Sequence, residues 1–155
     1  MEDRASLLIV DDEKMICEEF RETLEQEGFE VDCALSGKEG LQKIQTHHYN
    51  LVFLDSSMPF MDGKKVLERI RHFSHVPVAL ITGFITESKE KEVLQLGASA
   101  CLRKPLDLDR VKSTGLPGLH CEAKVVGDDG REVPHGVSGE IVVRGPNVLY
   151  EYWGN

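Results

Sequence analysis

Short apolar runs alternate with amphipathic stretches over roughly the first 110 residues of the chain. The runs are partly β-branched, as the strands of a buried parallel sheet are. They cover residues 6–10, 29–34, 51–55, 77–82 and 100–103. Because strand-like and helix-like segments alternate strictly, we predict a doubly wound α/β domain with a five-stranded parallel sheet and helices on both faces.

The stretches between the apolar runs have the periodicity of amphipathic helices. In the first of them, Ile16, Phe20 and Leu24 recur four residues apart, and Gly28 then supplies a helix stop. The other three also place apolar residues on one face. The predicted helices cover residues 13–27, 37–47, 64–73 and 87–96.

The alternation of strands and helices ends soon after Lys104-Pro105. Residues 106–111 begin a last helix, but the Gly- and Pro-rich residues 113–118 should end it within about two turns. Eight of the 14 glycines lie in residues 111–155. We therefore predict one α/β domain over residues 1–112 with a truncated last helix, followed by a β-rich segment over residues 113–155.

Within that segment, two runs have the pattern of strands joined by a turn. Residues 121–126 and 140–144 alternate or run apolar, and Asp128-Asp129-Gly130 is a turn signal between them. About 40 residues lie near the lower limit for a core of their own. We predict an appendage rather than a complete second domain.

Composition and charge indicate which partners and which cellular compartment to expect. The net charge of −9 argues against nucleic acid as a direct partner, because phosphates are neutralised by clustered Lys and Arg. The four cysteines are widely spaced, which fits a reducing compartment. The sequence has no apolar run of membrane-spanning length and does not start as a secretory signal does. We expect a cytoplasmic protein.

Polar residues stand at the ends of four predicted strands. Asp11 and Asp12 follow the first, Asp55 closes the third, Thr82 closes the fourth, and Lys104 follows the fifth. The carboxyl ends of parallel strands open into one crevice, so these side chains should meet there. Three carboxylates, a hydroxyl and an ammonium can hold a divalent cation, offer a nucleophile and neutralise a phosphate.

Four stretches of sequence resemble the response-regulator receiver domain of two-component signalling. They are LLIVDDE at 7–13, LVFLDSSMPFMDG at 51–63, ALITG at 79–83 and LRKP at 102–105. The resemblance covers roughly residues 5–110 and implies the flavodoxin-like receiver fold. It also implies a phosphoprotein that acts in a phosphorelay rather than an enzyme.

The resemblance assigns a role to each residue of the predicted site. Asp55 would be the phosphoacceptor. Thr82, Gly83 (through its backbone N–H), Ser57 and Lys104 would contact the phosphoryl group. A Mg²⁺ ion would be held by Asp11, Asp12, Asp55 and the backbone carbonyl of Ser57.

The same resemblance suggests partners and one departure from the family pattern. The phosphoryl donor would be a sensor histidine kinase or a histidine phosphotransfer protein, and the signal would pass by protein contact rather than DNA binding. Cys101 stands three residues before Lys104, where the family usually has an aromatic side chain. The shortened last helix would expose a flank of the sheet, which the β-rich segment or a second chain in a homodimer could cover.

The β-rich segment resembles adenylate-forming enzymes of the acyl-CoA synthetase family. GLPG at 115–118, GEIVVRGP at 139–146 and YEYWGN at 150–155 carry this resemblance. The sequence has neither the family's phosphate loop nor its adenine and ribose motifs. Two alternatives therefore stand beside the receiver hypothesis: an inactive ligase remnant fused to a receiver, and a non-signalling fusion.

Overall fold

The computed structural model of the 155-residue chain describes residues 4–106, 122–126 and 140–144, the last two ranges as strands only. The chain divides into two compact units, Met1–Asp107 and Leu108–Asn155. Among the residues described, no helix has both the length and the apolar character needed to cross a bilayer.

The first unit is built on a five-stranded sheet with the strand order β2-β1-β3-β4-β5. All four neighbouring pairs are parallel. This arrangement confirms the predicted doubly wound fold, and each strand lies within one residue of its predicted bounds. The strands are β1 (Ser6–Val10), β2 (Glu30–Ala34), β3 (Leu51–Asp55), β4 (Val78–Thr82) and β5 (Ala100–Arg103).

Four helices connect these strands and agree with the predicted amphipathic stretches. Three of them are preceded by an N-cap residue whose side chain accepts a hydrogen bond from the backbone N–H three residues further on. These residues are Ser36, Asp62 and Thr86. The first ends before Gly28, which adopts a φ of 95° that glycine tolerates. The helices are α1 (Lys14–Gln26), α2 (Gly37–Thr46), α3 (Gly63–Arg71) and α4 (Glu87–Gln95).

The central strands β3 and β4 are buried along their whole length. Burial on both faces explains why their sequences run continuously apolar rather than alternating. Polar residues therefore occur only where these strands end, at Asp55 and Thr82. Beyond the ladders, Ser56 N–H donates to the Ile81 carbonyl at 2.8 Å and Lys104 N–H donates to the Thr82 carbonyl at 2.8 Å. These bonds fix the segments that carry the predicted site.

The second unit contains a two-stranded antiparallel ladder. β6 (Glu122–Val126) pairs with β7 (Glu140–Arg144), with Lys124 opposite Val142. Both predicted strands are thereby confirmed. The predicted turn at residues 128–130, the shortened last helix and its exposed flank, and the junction near Lys112 lie outside the described residues.

Candidate functional site

Three carboxylates meet at the carboxyl edge of the sheet. One oxygen each of Asp11, Asp12 and Asp55 lies within 4.8 Å of the other two. The side chains of Asp11 and Asp55 are buried, with residue exposures of 2% and 3%, and Asp12 is exposed. Two buried carboxylates facing one another are costly unless a cation compensates them.

Lys104 supplies part of that compensation. Its Nζ lies 3.3 Å from Asp11 Oδ2 and 3.2 Å from Asp55 Oδ1, and a quarter of its side chain is exposed. Burial by itself lowers the pKa of Lys104, but the two carboxylates raise it above its ordinary value. Lys104 is therefore protonated at neutral pH and in contact with both acids.

Burial affects the pKa of Asp55 in the opposite direction. Its burial, followed by the charge of Asp11, raises the pKa of the Asp55 carboxyl above its ordinary value, although Lys104 and the Ser57 N–H lower it. Three carboxylates and one ammonium leave two negative charges in excess, which is the charge that a divalent cation neutralises. These oxygen donors suit Mg²⁺, which is usually bound through one or two carboxylates and keeps several waters.

Asp11 is held in place by its neighbours at the start of α1. Its Oδ1 accepts a hydrogen bond from the Glu13 N–H at 2.9 Å. Its backbone N–H donates to the Ala34 carbonyl at 3.1 Å, and its carbonyl accepts from Cys17 Sγ at 3.3 Å. With Oδ1 engaged in this way, Oδ2 is turned toward Lys104.

Thr82 lies at the end of β4, but its hydroxyl is engaged with the loop that follows. Thr82 Oγ1 donates to the Phe84 carbonyl at 3.1 Å and accepts from the Phe84 N–H at 3.3 Å. Gly83 is exposed, and a Cβ there would meet nothing within 4 Å. The contact with Phe84 was not predicted, because hydroxyl–backbone turns of this kind have a weak sequence signature.

Gly63 is a positioning residue, a role that sequence analysis did not assign to it. Its N–H donates to the Ser56 carbonyl at 3.1 Å. A Cβ at this position would overlap the Asp55 carbonyl oxygen and lie 2.8 Å from Ser56 Cα. The Asp-Gly pair at 62–63 was the available signal, because glycine often marks a close approach of two backbones.

The absence of a side chain at Gly63 should matter for stability and for the site. We expect Gly63→Ala to lower the free energy of unfolding by about 2 kcal/mol, because the added methyl group displaces the backbone that carries Asp55. Gly83→Ala is the matched control and should change it by less than about 0.5 kcal/mol. Urea denaturation measures both values, and equal values would contradict the close-approach argument.

The predicted site residues are thus brought together to different degrees. Asp11, Asp12, Asp55 and Lys104 form one cluster. Ser57 touches Asp55 through its backbone N–H. Thr82 and Gly83 follow at the adjacent strand end.

Comparison with known proteins identifies two similarities along the chain. Residues 7–114 match the response regulator receiver domain family. Residues 94–153 match the AMP-binding enzyme family over a shorter span. The second match overlaps the end of the first and supports the resemblance of the C-terminal segment, without showing catalysis.

Curated relatives are response regulators of different overall length. The transcriptional regulatory protein CpxR homolog of Haemophilus influenzae is 41% identical over 66% of this chain and 45% of its own length. CrdR of Helicobacter pylori is 33% identical over 69% of this chain and 51% of its own. The chain therefore spans about half the length of these relatives. The polar-differentiation response regulator DivK of Brucella ovis is 30% identical over 70% of this chain and 91% of its own length.

Solved structures of receiver domains share the same fold. The receiver domain of the Francisella response regulator 1452 superposes with a TM-score of 0.67 at 28% identity, over 70% of this chain and 90% of its own. TrrA of Thermotoga maritima, solved in complex with Mg²⁺ and BeF, superposes with a TM-score of 0.62 at 32% identity, over 70% and 93%. With its sheet order, its acidic cluster and a family match covering more than half of its length, this chain belongs to the response regulator receiver domain family.

Proposed function

We propose that this chain accepts a phosphoryl group on Asp55 in a Mg²⁺-dependent step, from a sensor histidine kinase or a histidine phosphotransfer protein. The observation that carries the proposal is the cluster in which Asp55, Asp11 and Lys104 are in contact while Asp12 borders the same space. Such a set provides a nucleophile, cation ligands and a charge partner for phosphate.

Each residue of the cluster has a distinct role in the proposed reaction. Asp55 attacks the phosphorus of the donor, and the bond between phosphorus and the donor's leaving atom breaks as an acyl phosphate forms. Asp11, Asp12, Asp55 and the Ser57 carbonyl would hold Mg²⁺. When bound, the ion would neutralise negative charge on the transferred phosphoryl oxygens.

Lys104 and Thr82 respond to the new phosphoryl group. The Lys104 ammonium exchanges its contact with the Asp55 carboxylate for one with the phosphoryl oxygens. The Thr82 hydroxyl leaves the Phe84 backbone to donate to the same oxygens, beside the Gly83 N–H. Because Thr82 now holds the loop through two hydrogen bonds with Phe84, that move frees the segment leading into α4.

We propose that the phosphorylated state is read by protein contact in the cytoplasm. The net charge of −9 disfavours direct nucleic-acid binding. CrdR and the CpxR homolog are transcriptional regulators by name, and this chain covers only about half of each. We assign the receiver domain to residues 1–112 and the appended segment to residues 113–155.

Intact-mass analysis after incubation with acetyl phosphate tests the proposed phosphorylation. With Mg²⁺ we expect one added phosphoryl group, and without Mg²⁺ none. Asp55→Asn should abolish the addition, because the amide cannot act as the nucleophile. Asp32→Asn is the control, since Asp32 is an exposed acid on β2 away from the cluster. An unmodified chain with native circular dichroism would contradict the proposal.

A second function is favoured by one observation, the match of residues 94–153 to AMP-binding enzymes. Under this alternative the chain is a ligase remnant, and adenylate formation from ATP and a carboxylic acid would release pyrophosphate. Pyrophosphate release by the isolated chain would support ligase activity in this segment. A chain that neither binds Mg²⁺ nor accepts phosphate would favour a non-signalling fusion instead.

A further inference from the structure

A cavity of about 210 Å³ opens beside the acidic cluster, between the segment that follows β3 and the elements α4 and β5. Ser57 and Thr82 line it on the side of the cluster, and Leu80, Val93 and Cys101 line its interior. The cavity therefore shares residues with the proposed phosphorylation site without containing the three clustered carboxylates.

The interior wall of the cavity is apolar and uncharged. Leu80 and Val93 are each 2% exposed, and Cys101 packs against the same core. Burial, followed by the charge of Glu90, raises the pKa of the Cys101 thiol, while Lys89 lowers it. The thiol therefore stays neutral at physiological pH. Apolar cavities of about 150 Å³ bind benzene, so this one has room for a substituted six-membered ring.

One cation at the mouth of the cavity, Lys89, can pair with an anionic substituent on that ring. Lys64, Lys89 and Asp62 lie there. Lys64 Nζ is 2.6 Å from the Glu92 carboxylate, and the Asp62 side chain accepts from the Lys65 N–H at 2.9 Å. Lys89 is exposed and forms no ion pair among residues 4–106. Its ammonium is available to a ligand.

We propose that this cavity binds a single-ring aromatic carboxylate, with the ring against Leu80, Val93 and Cys101 and the carboxylate toward Lys89. Binding of this ligand does not require phosphorylation. Its regulatory consequence rests on the proposed function: a ring packed against Thr82 would hinder the movement of the hydroxyl toward a phosphorylated Asp55. The ligand would therefore favour the unphosphorylated state.

A titration of the full chain with benzoate, followed by backbone amide NMR in Mg²⁺-free buffer, tests the proposal. We expect saturable shifts at Leu80, Val93 and Cys101, with a Kd of about 1 mM, as a small ligand allows. An absence of saturable shifts up to about 20 mM would overturn it. So would shifts centred on the separate cleft lined by His48 and His75. Phosphorylation by acetyl phosphate is measured in a separate experiment. A failure of the ligand proposal can therefore be distinguished from a failure of the phosphorylation proposal.

Variants separate the ring contact from the charge contact. Lys89→Gln should weaken benzoate about threefold and leave benzyl alcohol unchanged. Lys91→Gln is the control, because Lys91 is exposed on α4 and does not line the cavity. Equal weakening in both variants would overturn the carboxylate assignment. Cys101→Phe, or Val93→Phe if the first does not fold, should fill the cavity and remove binding; retained binding would overturn the site.

Discussion

Replacing Lys104 with Met should lower the free energy of unfolding by about 2 kcal/mol at neutral pH in Mg²⁺-free buffer. The substitution keeps an unbranched side chain but leaves Asp11 and Asp55, both almost fully buried, without their cation. Removing one partner of a fully buried pair costs about 3–5 kcal/mol. The expected value is smaller because 24% of the Lys104 side chain is exposed. Urea denaturation measures it.

Two further variants show whether the loss comes from the buried charges. Lys14→Met removes an exposed pair, in which Lys14 Nζ is 3.6 Å from Glu18, and should cost at most about 0.5 kcal/mol. Adding Asp55→Asn to Lys104→Met should restore at least half of the stability, because it removes one of the two uncompensated charges. Additive effects of the two substitutions would contradict this argument from uncompensated charge.

Adding Mg²⁺ should stabilise the protein strongly through the same cluster. At a concentration one hundred times its Kd, a ligand that binds only the folded state adds about 2.7 kcal/mol to the free energy of unfolding. We expect this gain for the wild-type chain and expect Asp12→Asn to remove most of it. Asp12 is exposed, so this substitution should have little effect on the Mg²⁺-free protein. Thermal denaturation with and without Mg²⁺ measures the gain.

A nearby acid outside the cluster provides the control for this experiment. Asp62 caps the N-terminus of α3, where its side chain accepts a hydrogen bond from the Lys65 N–H, a role that Asn fills equally well. Asp62→Asn should therefore keep the full Mg²⁺ gain. A similar loss in the Asp12 and Asp62 variants would mean that Mg²⁺ acts through general screening of an acidic surface and not through the clustered carboxylates.

Much of the fold and the identities of most site residues could be predicted from the chain itself. Strand and helix bounds followed from apolar periodicity, because a buried parallel strand and a half-buried helix each need their own spacing of apolar residues. Asp11, Asp55 and Thr82 stood out because they end apolar runs whose carboxyl ends meet at one edge of the sheet. Apolar periodicity and the residues that follow each apolar run can be read directly from the sequence.

Contacts within the site were decided only by the tertiary structure. Lys104 and Asp11 are separated by 93 positions, and their 3.3 Å contact depends on the register of the sheet and on side-chain conformation. Sheet geometry also brings Gly63 against the Asp55 backbone. The Thr82 hydroxyl contacts the Phe84 carbonyl, and Cys101 lines a cavity beside Thr82. The sequence thus determined which groups reach this edge, whereas packing and the balance of buried charges determined which of them touch.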